Sequence, residues 1–315
     1  MEKIHGHLIS VNLGKVRGVP KHPVDKGVLT PDWGLEGDAH GGDWDRQISL
    51  FPLETMALVP KAIRITFEEN SYSENLTIEG IPPEFLRVGT VLAIGTARIK
   101  ILQIGKETFE PPESGRPYIV SREGRFGRVL SGGTVKRGDV VEMIEEGAYA
   151  SDAPVVALVT LSDKGAKGER EDVSGRFLRW YVTRLGGRIL SSEIIPDEKP
   201  AIRETLLKEI EAGADLILTT GGTGLGPRDV TPDVTLEIID RQVPGFAEAM
   251  RAESLRKTPH AMISRAVSGV AGKTLIINLP GSPKAVAECM EVIFPALNHA
   301  IDKLRGDPTE CATEL

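Results

Sequence analysis

Basic excess, cysteine and long apolar runs are all scarce in this chain. Lys and Arg number 38 against 45 Asp and Glu, for a formal net charge of -7. No basic field covers the surface, so nucleic acid is not an expected partner, whereas small anions held by local groups are not excluded. The 315 residues hold two cysteines, Cys289 and Cys311, with no metal-ligand spacing. Cys289 falls in an amphipathic helical pattern and reads as core. Cys311 falls in a polar tail, where a free thiol fits a reducing, cytoplasmic setting. No apolar run is long enough to cross a bilayer, and the first seven residues lack the apolar core of a signal peptide. Internal repeats, low-complexity segments, and any Ser–His or Cys–His nucleophile arrangement are also missing.

What is present divides near residue 150. Before it, Gly and Pro are frequent and apolar segments are short. Residues 88–104 read as two strands joined at Gly95-Thr96, and residues 135–144 as another strand pair or bend. This grammar predicts a β-rich barrel or folded sheet. After a linker, strands alternate with helices: Val155–Thr160, Ile189–Ile195, Leu216–Thr219 and Leu275–Leu279 read as strands. Phe177, Leu178, Tyr181, Val182 and Leu185 mark one helical face, and Val286, Met290, Ile293, Leu297, Ile301 and Leu304 another. The expected fold is α/β, a doubly wound, mostly parallel sheet.

Each of these four strands runs into a polar motif: Leu161-Ser162-Asp163-Lys164-Gly165, Pro196-Asp197-Glu198, the glycine-rich stretch from Thr219 to Pro232, and Pro280-Gly281-Ser282-Pro283-Lys284. Open α/β sheets bind ligands beyond the carboxyl ends of their strands, so the four motifs converge on one expected pocket. In the glycine-rich stretch, Gly221, Gly222 and Gly224 let backbone N–H groups approach phosphate. It lacks the Gly-Lys-Ser/Thr ending of a P-loop, and it follows the third strand rather than the first, unlike a dinucleotide fingerprint. Asp229 would repel phosphate unless a divalent cation bridged the two, and Asp197 is a second acid for such a cation. Lys164, Arg228 and Lys284 are available to offset phosphate charge.

Plainer readings stand beside these. Asp197 and Glu198 fit a helix N-cap, Asp229 a turn, Ser174 a helix cap, and Asn278 to Gly281 a strand-ending turn. In the first half, Asp38, His40, Asp43 and Asp45 read as a turn rather than a metal cluster. Trp33 and Trp44 read as cover for the barrel, and Arg116, Arg122, Arg125 and Arg128 as a solvated face.

On these residues the second half resembles the molybdopterin adenylyltransferase family of molybdenum cofactor biosynthesis, the Mog type. The matching segments are Ser162-Asp163, Ile195–Glu198, Thr219–Gly224, Pro227–Asp233, Pro244–Phe246, Ile263–Arg265 and Asn278–Pro283, in order through residues 154–305. The first half resembles a MOSC domain through Gly34–His40, Arg46–Leu50, Glu74–Thr77 and Ile104–Glu107. The resemblance implies a MOSC-like barrel over 1–147, a linker over 148–153, the adenylyltransferase domain over 154–306 and a polar tail over 307–315. MOSC domains usually carry a cysteine just after the Gly-Lys-Glu motif, where this chain has Thr108. Threonine can form no persulfide, so cofactor binding or docking is expected of that half rather than sulfur transfer.

The family reaction joins ATP and molybdopterin to give adenylyl-molybdopterin and pyrophosphate. The resemblance implies Asp197 and Asp229 as catalytic residues and Mg²⁺ ligands. Substrate contacts fall to Ser162, Asp163, Thr220, Gly221, Gly222, Thr223, Gly224, Arg228, Ser264, Asn278, Pro280, Gly281 and Ser282, with Arg228 either neutralising charge or orienting Asp229. It also implies a homotrimer or hexamer through the C-terminal half, with other cofactor-biosynthesis proteins or molybdoenzymes as partners. The competing expectation is a non-catalytic protein that binds or carries the molybdenum cofactor, since related domains serve that purpose too.

Overall fold

The computed structural model describes residues 4–58, 72–105 and 123–308. Thr108, Arg116, Arg122 and Cys311 lie outside them. The chain forms two compact units, Met1–Ala148 and Tyr149–Leu315.

The first unit contains β1 (His5–Leu13), β2 (His22–Val24), β3 (Lys26–Thr30), β4 (Gly34–Leu35), β5 (Ile48–Pro52), β6 (Leu76–Glu79), β7 (Val91–Ile94), β8 (Ala97–Ile104), β9 (Arg125–Ser131), β10 (Gly133–Lys136) and β11 (Val140–Glu145). Seven of them run β11-β7-β8-β9-β5-β6-β1, and β1 pairs back with β11 to close a barrel. Closure removes exposed sheet edges. Leu8, Leu50, Leu76, Leu92, Ile99 and Ile101 fill the interior, each fully buried. The hairpin expected at Gly95-Thr96 is β7–β8, with Ile94 opposite Ala97.

Residues 135–144, read as a strand pair or bend, are the bend and not a strand pair. The Lys136 N–H donates to Asp139 Oδ2 at 2.8 Å and the Gly138 N–H to the Leu8 carbonyl at 2.7 Å. The turn so formed sends β10 to β3 in a separate sheet and β11 into the barrel. The arginine segment is not simply a solvated face either. Arg125 is fully buried and donates to the carbonyls of Pro83, Leu86 and Glu123. Arg128 pairs with Asp43 at 2.5 Å and Asp45 at 3.1 Å. Trp33 and Trp44, expected as cover, are 49% and 37% exposed.

The second unit contains β12 (Val155–Leu161), α1 (Asp163–Ala166), α2 (Val173–Arg184), β13 (Arg188–Ile195), α3 (Lys199–Glu211), β14 (Leu216–Thr220), α4 (Thr231–Ile238), β15 (Arg241–Gln242), α5 (Pro244–Leu255), β16 (Ser268–Ala271), β17 (Thr274–Leu279) and α6 (Pro283–Arg305). The sheet order is β13-β12-β14-β17-β16-β15. The first four strands are parallel and correspond to the four expected strands. The inner strands β12, β14 and β17 are buried along nearly their whole length, as strands covered on both faces are, whereas β13 at the edge is mostly half-buried and carries Ser191, Ser192 and Glu193. The last two add an antiparallel edge that periodicity did not predict. Arg241-Gln242 is exposed and too short for a pattern, and Ser268-Gly269 has little strand propensity. On α6, Val286, Cys289, Met290, Ile293, Leu297 and Ile301 are buried at helical spacing, while Leu304 is half-buried. Burial pushes the Cys289 thiol up to about 11, as expected of a core residue. At the end of α6, Arg305 bonds Asp215 at 2.7 Å and the carbonyl of Ala153 at 3.2 Å, anchoring the stretch before β12.

Candidate functional site

The order β13-β12-β14 sets the unit's first strand between its second and third. Connections from β12 therefore depart to one side and those from β14 to the other, and a crevice opens between their carboxyl ends. A cavity of about 460 Å³ lies there. It is lined by the strand ends Thr160–Ser162 and Thr220–Gly222, by the starts of α2 and α6, and by the acids Asp197 and Asp229. Asp172 caps α2, accepting from the Gly175 N–H at 2.8 Å and the Thr160 hydroxyl at 2.9 Å. Ser174, expected as the cap, sits inside the helix, and its hydroxyl donates to the Gly281 carbonyl at 3.0 Å.

The glycine-rich loop has two physical requirements. Gly221 and Gly222 are left-handed, with φ of 107° and 62°. A Cβ on Gly221 would collide with the Leu161 carbonyl, and one on Gly222 with Thr231 Oγ1. Gly224 instead leaves room for a carboxylate: its Cβ would lie 2.8 Å from Asp229 Oδ2. The loop wraps around that side chain, with the Gly226 N–H donating to Asp229 Oδ2 at 2.7 Å. Arg265 braces the loop, donating to the carbonyls of Gly224 at 3.1 Å and Asp229 at 3.0 Å and pairing with Asp233 at 2.7 Å.

The acids are linked across strand ends. The Asp163 N–H donates to Asp197 Oδ2 at 3.1 Å, and the Asp197 N–H returns a bond of the same length to Asp163 Oδ1. Arg228 clamps Asp163 with Nη2 at 2.6 Å from Oδ1 and Nε at 3.2 Å from Oδ2. That bond to Arg228 holds the Asp163 carboxyl below its ordinary range. Burial pushes the Asp197 carboxyl up, and the charges of Asp163 and Asp229 act in the same direction. Among the described residues no donor reaches Oδ1 of Asp197 or of Asp229. Two acids that each keep an uncommitted oxygen at a cavity wall fit a hard divalent cation shared with ligand phosphates. No group of three or more His, Cys, Asp or Glu gathers among the described residues, so protein ligands alone do not enclose a metal.

Of the residues expected at the site, Ser162, Asp197, Thr220, Gly221, Gly222, Asp229, Gly281 and Ser282 line the cavity. Thr220 commits its hydroxyl proton to the Pro280 carbonyl at 2.7 Å, and Ser162 caps α1. Asn278 does not reach the wall. It is fully buried, donating to Thr219 Oγ1 and Thr235 Oγ1 at 3.0 Å each and accepting from the Val267 N–H, so it pins β14, β17 and α4 together. Ser264 ends the 3₁₀ turn Pro259–Ile263 and faces the Ala266 N–H instead of the cavity. Asp163, Thr223, Gly224, Arg228 and Pro280 are likewise not among the residues that line it. Arg228 is spent on Asp163, and Lys164 and Lys284 do not line the cavity either. Sequence reasoning missed Arg170, the one Lys or Arg among the residues that line the cavity. No periodicity or motif marks it, because it sits in the loop between α1 and α2.

In the barrel, Asp38 and His40 form a turn, as expected, but Asp38 is not solvent-facing. Its side chain is 1% exposed and takes Lys21 Nζ at 2.5 and 2.7 Å, with Lys21 itself 3% exposed. Asp38 also accepts from the Gly14 N–H at 2.9 Å, from Asn75 Nδ2 at 3.0 Å and from the His40 N–H at 3.0 Å. The expected signatures 34–40, 46–50 and 74–77 thus meet in one polar cluster, where Asn75 Oδ1 also accepts from Ser49.

Comparison with known proteins bears on the second unit. Residues 157–299 match the family described as "Probable molybdopterin binding domain". The molybdopterin adenylyltransferase of Helicobacter pylori J99 is 39% identical over 155 residues, 48% of this chain and 88% of its own. That of Escherichia coli K12 is 38% identical over 175 residues, 51% of this chain and 90% of its own. Among solved structures, the molybdopterin biosynthesis enzyme MoaB of Thermus thermophilus is 48% identical and matches 50% of this chain and 99% of its own, with a TM-score of 0.47. Through its C-terminal half, this chain belongs to the molybdopterin adenylyltransferase family of molybdenum cofactor biosynthesis.

Proposed function

We propose that residues 154–306 adenylylate molybdopterin with Mg-ATP, and that residues 1–147 are a MOSC-type barrel that binds or hands on cofactor. The observation that carries the first reading is the meeting of Asp197, Asp229 and the Gly221-Gly222 cradle on one cavity at the switch point of the sheet. A terminal phosphate oxygen of molybdopterin attacks the α-phosphorus of ATP, and the bond to the β-phosphate oxygen breaks to release pyrophosphate. A phosphate monoester is largely dianionic near neutral pH, its second pKa being about 6, so no strong base is required. Such transfers depend on positioning and charge neutralisation. Asp197 and Asp229 would hold Mg²⁺, which supplies charge neutralisation for the reacting phosphates. Gly221 and Gly222 bring backbone close to phosphate, and Ser162, Thr220 and Ser282 supply polar contacts. The test of product identity is mass spectrometry of the pterin after reaction, which should gain one adenylyl group.

Arg170 is the cation that meets substrate phosphate on this reading. Arg170→Ala should raise the KM of ATP or of molybdopterin roughly tenfold, the scale of a lost charged hydrogen bond, with kcat nearly unchanged. Unaltered KM values for both substrates would remove Arg170 from the site.

Gly221→Ala should lose about 1–3 kcal/mol of stability to left-handed strain, and ATP binding at least tenfold as the loop moves off Leu161. Gly213→Ala is the control, because its φ is 84° but nothing lies within 4 Å of a Cβ there. It should lower stability and leave ATP binding intact, as measured by urea unfolding and calorimetry. Equal binding losses in both variants would contradict the cradle.

A further inference from the structure

We infer that Arg228 and Asp163 act as one positioning pair for Asp197, and that Arg228 does not bind substrate phosphate. The inference rests on the adenylylation reading and assigns a role that the site residues alone leave open. Phosphate beside an arginine in a glycine-rich loop would ordinarily be that arginine's ligand. Here the guanidinium fork is filled by both oxygens of Asp163, and its remaining near neighbour is Glu198 at 3.7 Å. Arg228 is absent from the cavity lining, although the adjacent Asp229 is there.

The fork has a mechanical consequence. Asp163 follows β12, Asp197 follows β13 and Arg228 belongs to the loop after β14, so one ion pair and two backbone bonds tie three strand ends together. The carboxylate of Asp163 holds the backbone N–H of Asp197, and the backbone N–H of Asp163 holds Asp197 Oδ2. Together these fix the carboxylate plane of Asp197 and leave Oδ1 as its uncommitted oxygen. Arg228 keeps Asp163 in the rotamer that accepts the Asp197 N–H, and its charge offsets that of Asp163 beside two further acids. A bidentate fork does this where a single ammonium does not, so lysine is a poor substitute.

The test is ATP binding by calorimetry with and without Mg²⁺, together with steady-state kinetics, on R228Q, R228K, D163N and the double variant R228Q/D163N. Thermal melting confirms that each is folded. Wild type should bind ATP more tightly with Mg²⁺ than without. R228Q and D163N should each lose most of that increment while Mg²⁺-free ATP binding stays within about threefold of wild type. R228K should behave like R228Q, and the double variant should be no worse than either single one, as expected of residues acting as a unit. Turnover, measured with Mg²⁺, should show the matching pattern, with kcat reduced and the KM of ATP raised by about the increment lost in binding. A tenfold or greater loss of Mg²⁺-free ATP binding in R228Q, with D163N unaffected, would overturn the inference and make Arg228 a phosphate ligand. Additive losses in the double variant would overturn it as well. If wild type binds ATP in this pattern but turns nothing over, the functional reading fails and the positioning pair stands.

Discussion

Asp197→Asn and Asp229→Asn each fold normally and lose adenylylation on the order of 10²–10³-fold or more, the scale set by removing one preorganised charge-stabilising group. The asparagine oxygen keeps the local structure in both cases. In Asp229→Asn it still accepts the Gly226 N–H that closes the loop, and in Asp197→Asn it still accepts the Asp163 N–H. What disappears is the charge. The sign of the stability change follows from the Asp197 carboxyl, which burial and the charges of Asp163 and Asp229 hold above its ordinary value. A carboxyl raised in the folded state opposes folding once it ionises, so at pH 7 the Asn variant should be at least as stable as wild type. A folded site with a cost of this kind is the expected signature of a functional residue. Kinetics and urea unfolding on the same samples check both halves. Near-normal turnover, or a large loss of stability, would remove Asp197 from the role given to it.

Asp38→Asn should destabilise the barrel by about 3–5 kcal/mol, because it leaves Lys21 charged and unpaired in the interior. That is a large part of the roughly 5–15 kcal/mol by which a domain is stable. Burial raises the Asp38 carboxyl, but hydrogen bonds from His40, Lys21 and Gly14 outweigh it and hold the group well below the ordinary range. A depressed folded value stabilises the protein above the unfolded value, about 4. That contribution is lost as pH falls through the folded value. Wild type should therefore lose barrel stability on acidification more steeply than Asp38→Asn does. Replacing both partners with apolar residues, as in Lys21→Met with Asp38→Leu, should recover much of the loss. Urea unfolding at several pH values reads all three effects. A loss below about 1 kcal/mol in Asp38→Asn would show that the pair carries little of the barrel's stability.

The framework of the second unit was legible because β12, β14 and β17 are buried, mainly apolar runs and each of the four parallel strands ends in a polar motif. The edge strands β15 and β16 were not legible, since short exposed or Gly-containing strands exist by pairing rather than by propensity. At the cavity, Asp197 and Asp229 were expected from their places beside the strand ends, and both do line its wall. The direction in which a polar side chain turns was not legible. Asn278 pointed to ligand by motif, yet partners 11, 43 and 59 residues away in the chain hold it beneath the cavity. Arg228 sits 65 residues from the carboxylate it clamps, and Asp38 lies 37 from Asn75. Such pairings depend on tertiary closure, which local patterns do not encode. Arg170 escaped notice for the same reason.

Pyrophosphate release from ATP reads out adenylyl transfer to molybdopterin at the cavity beyond the ends of β12 and β14. Release should require molybdopterin and Mg²⁺ together, match adenylyl-molybdopterin formed one for one, and disappear in Asp229→Asn. Tight molybdopterin binding with no pyrophosphate released under those conditions would contradict that transfer and leave a cofactor carrier in its place.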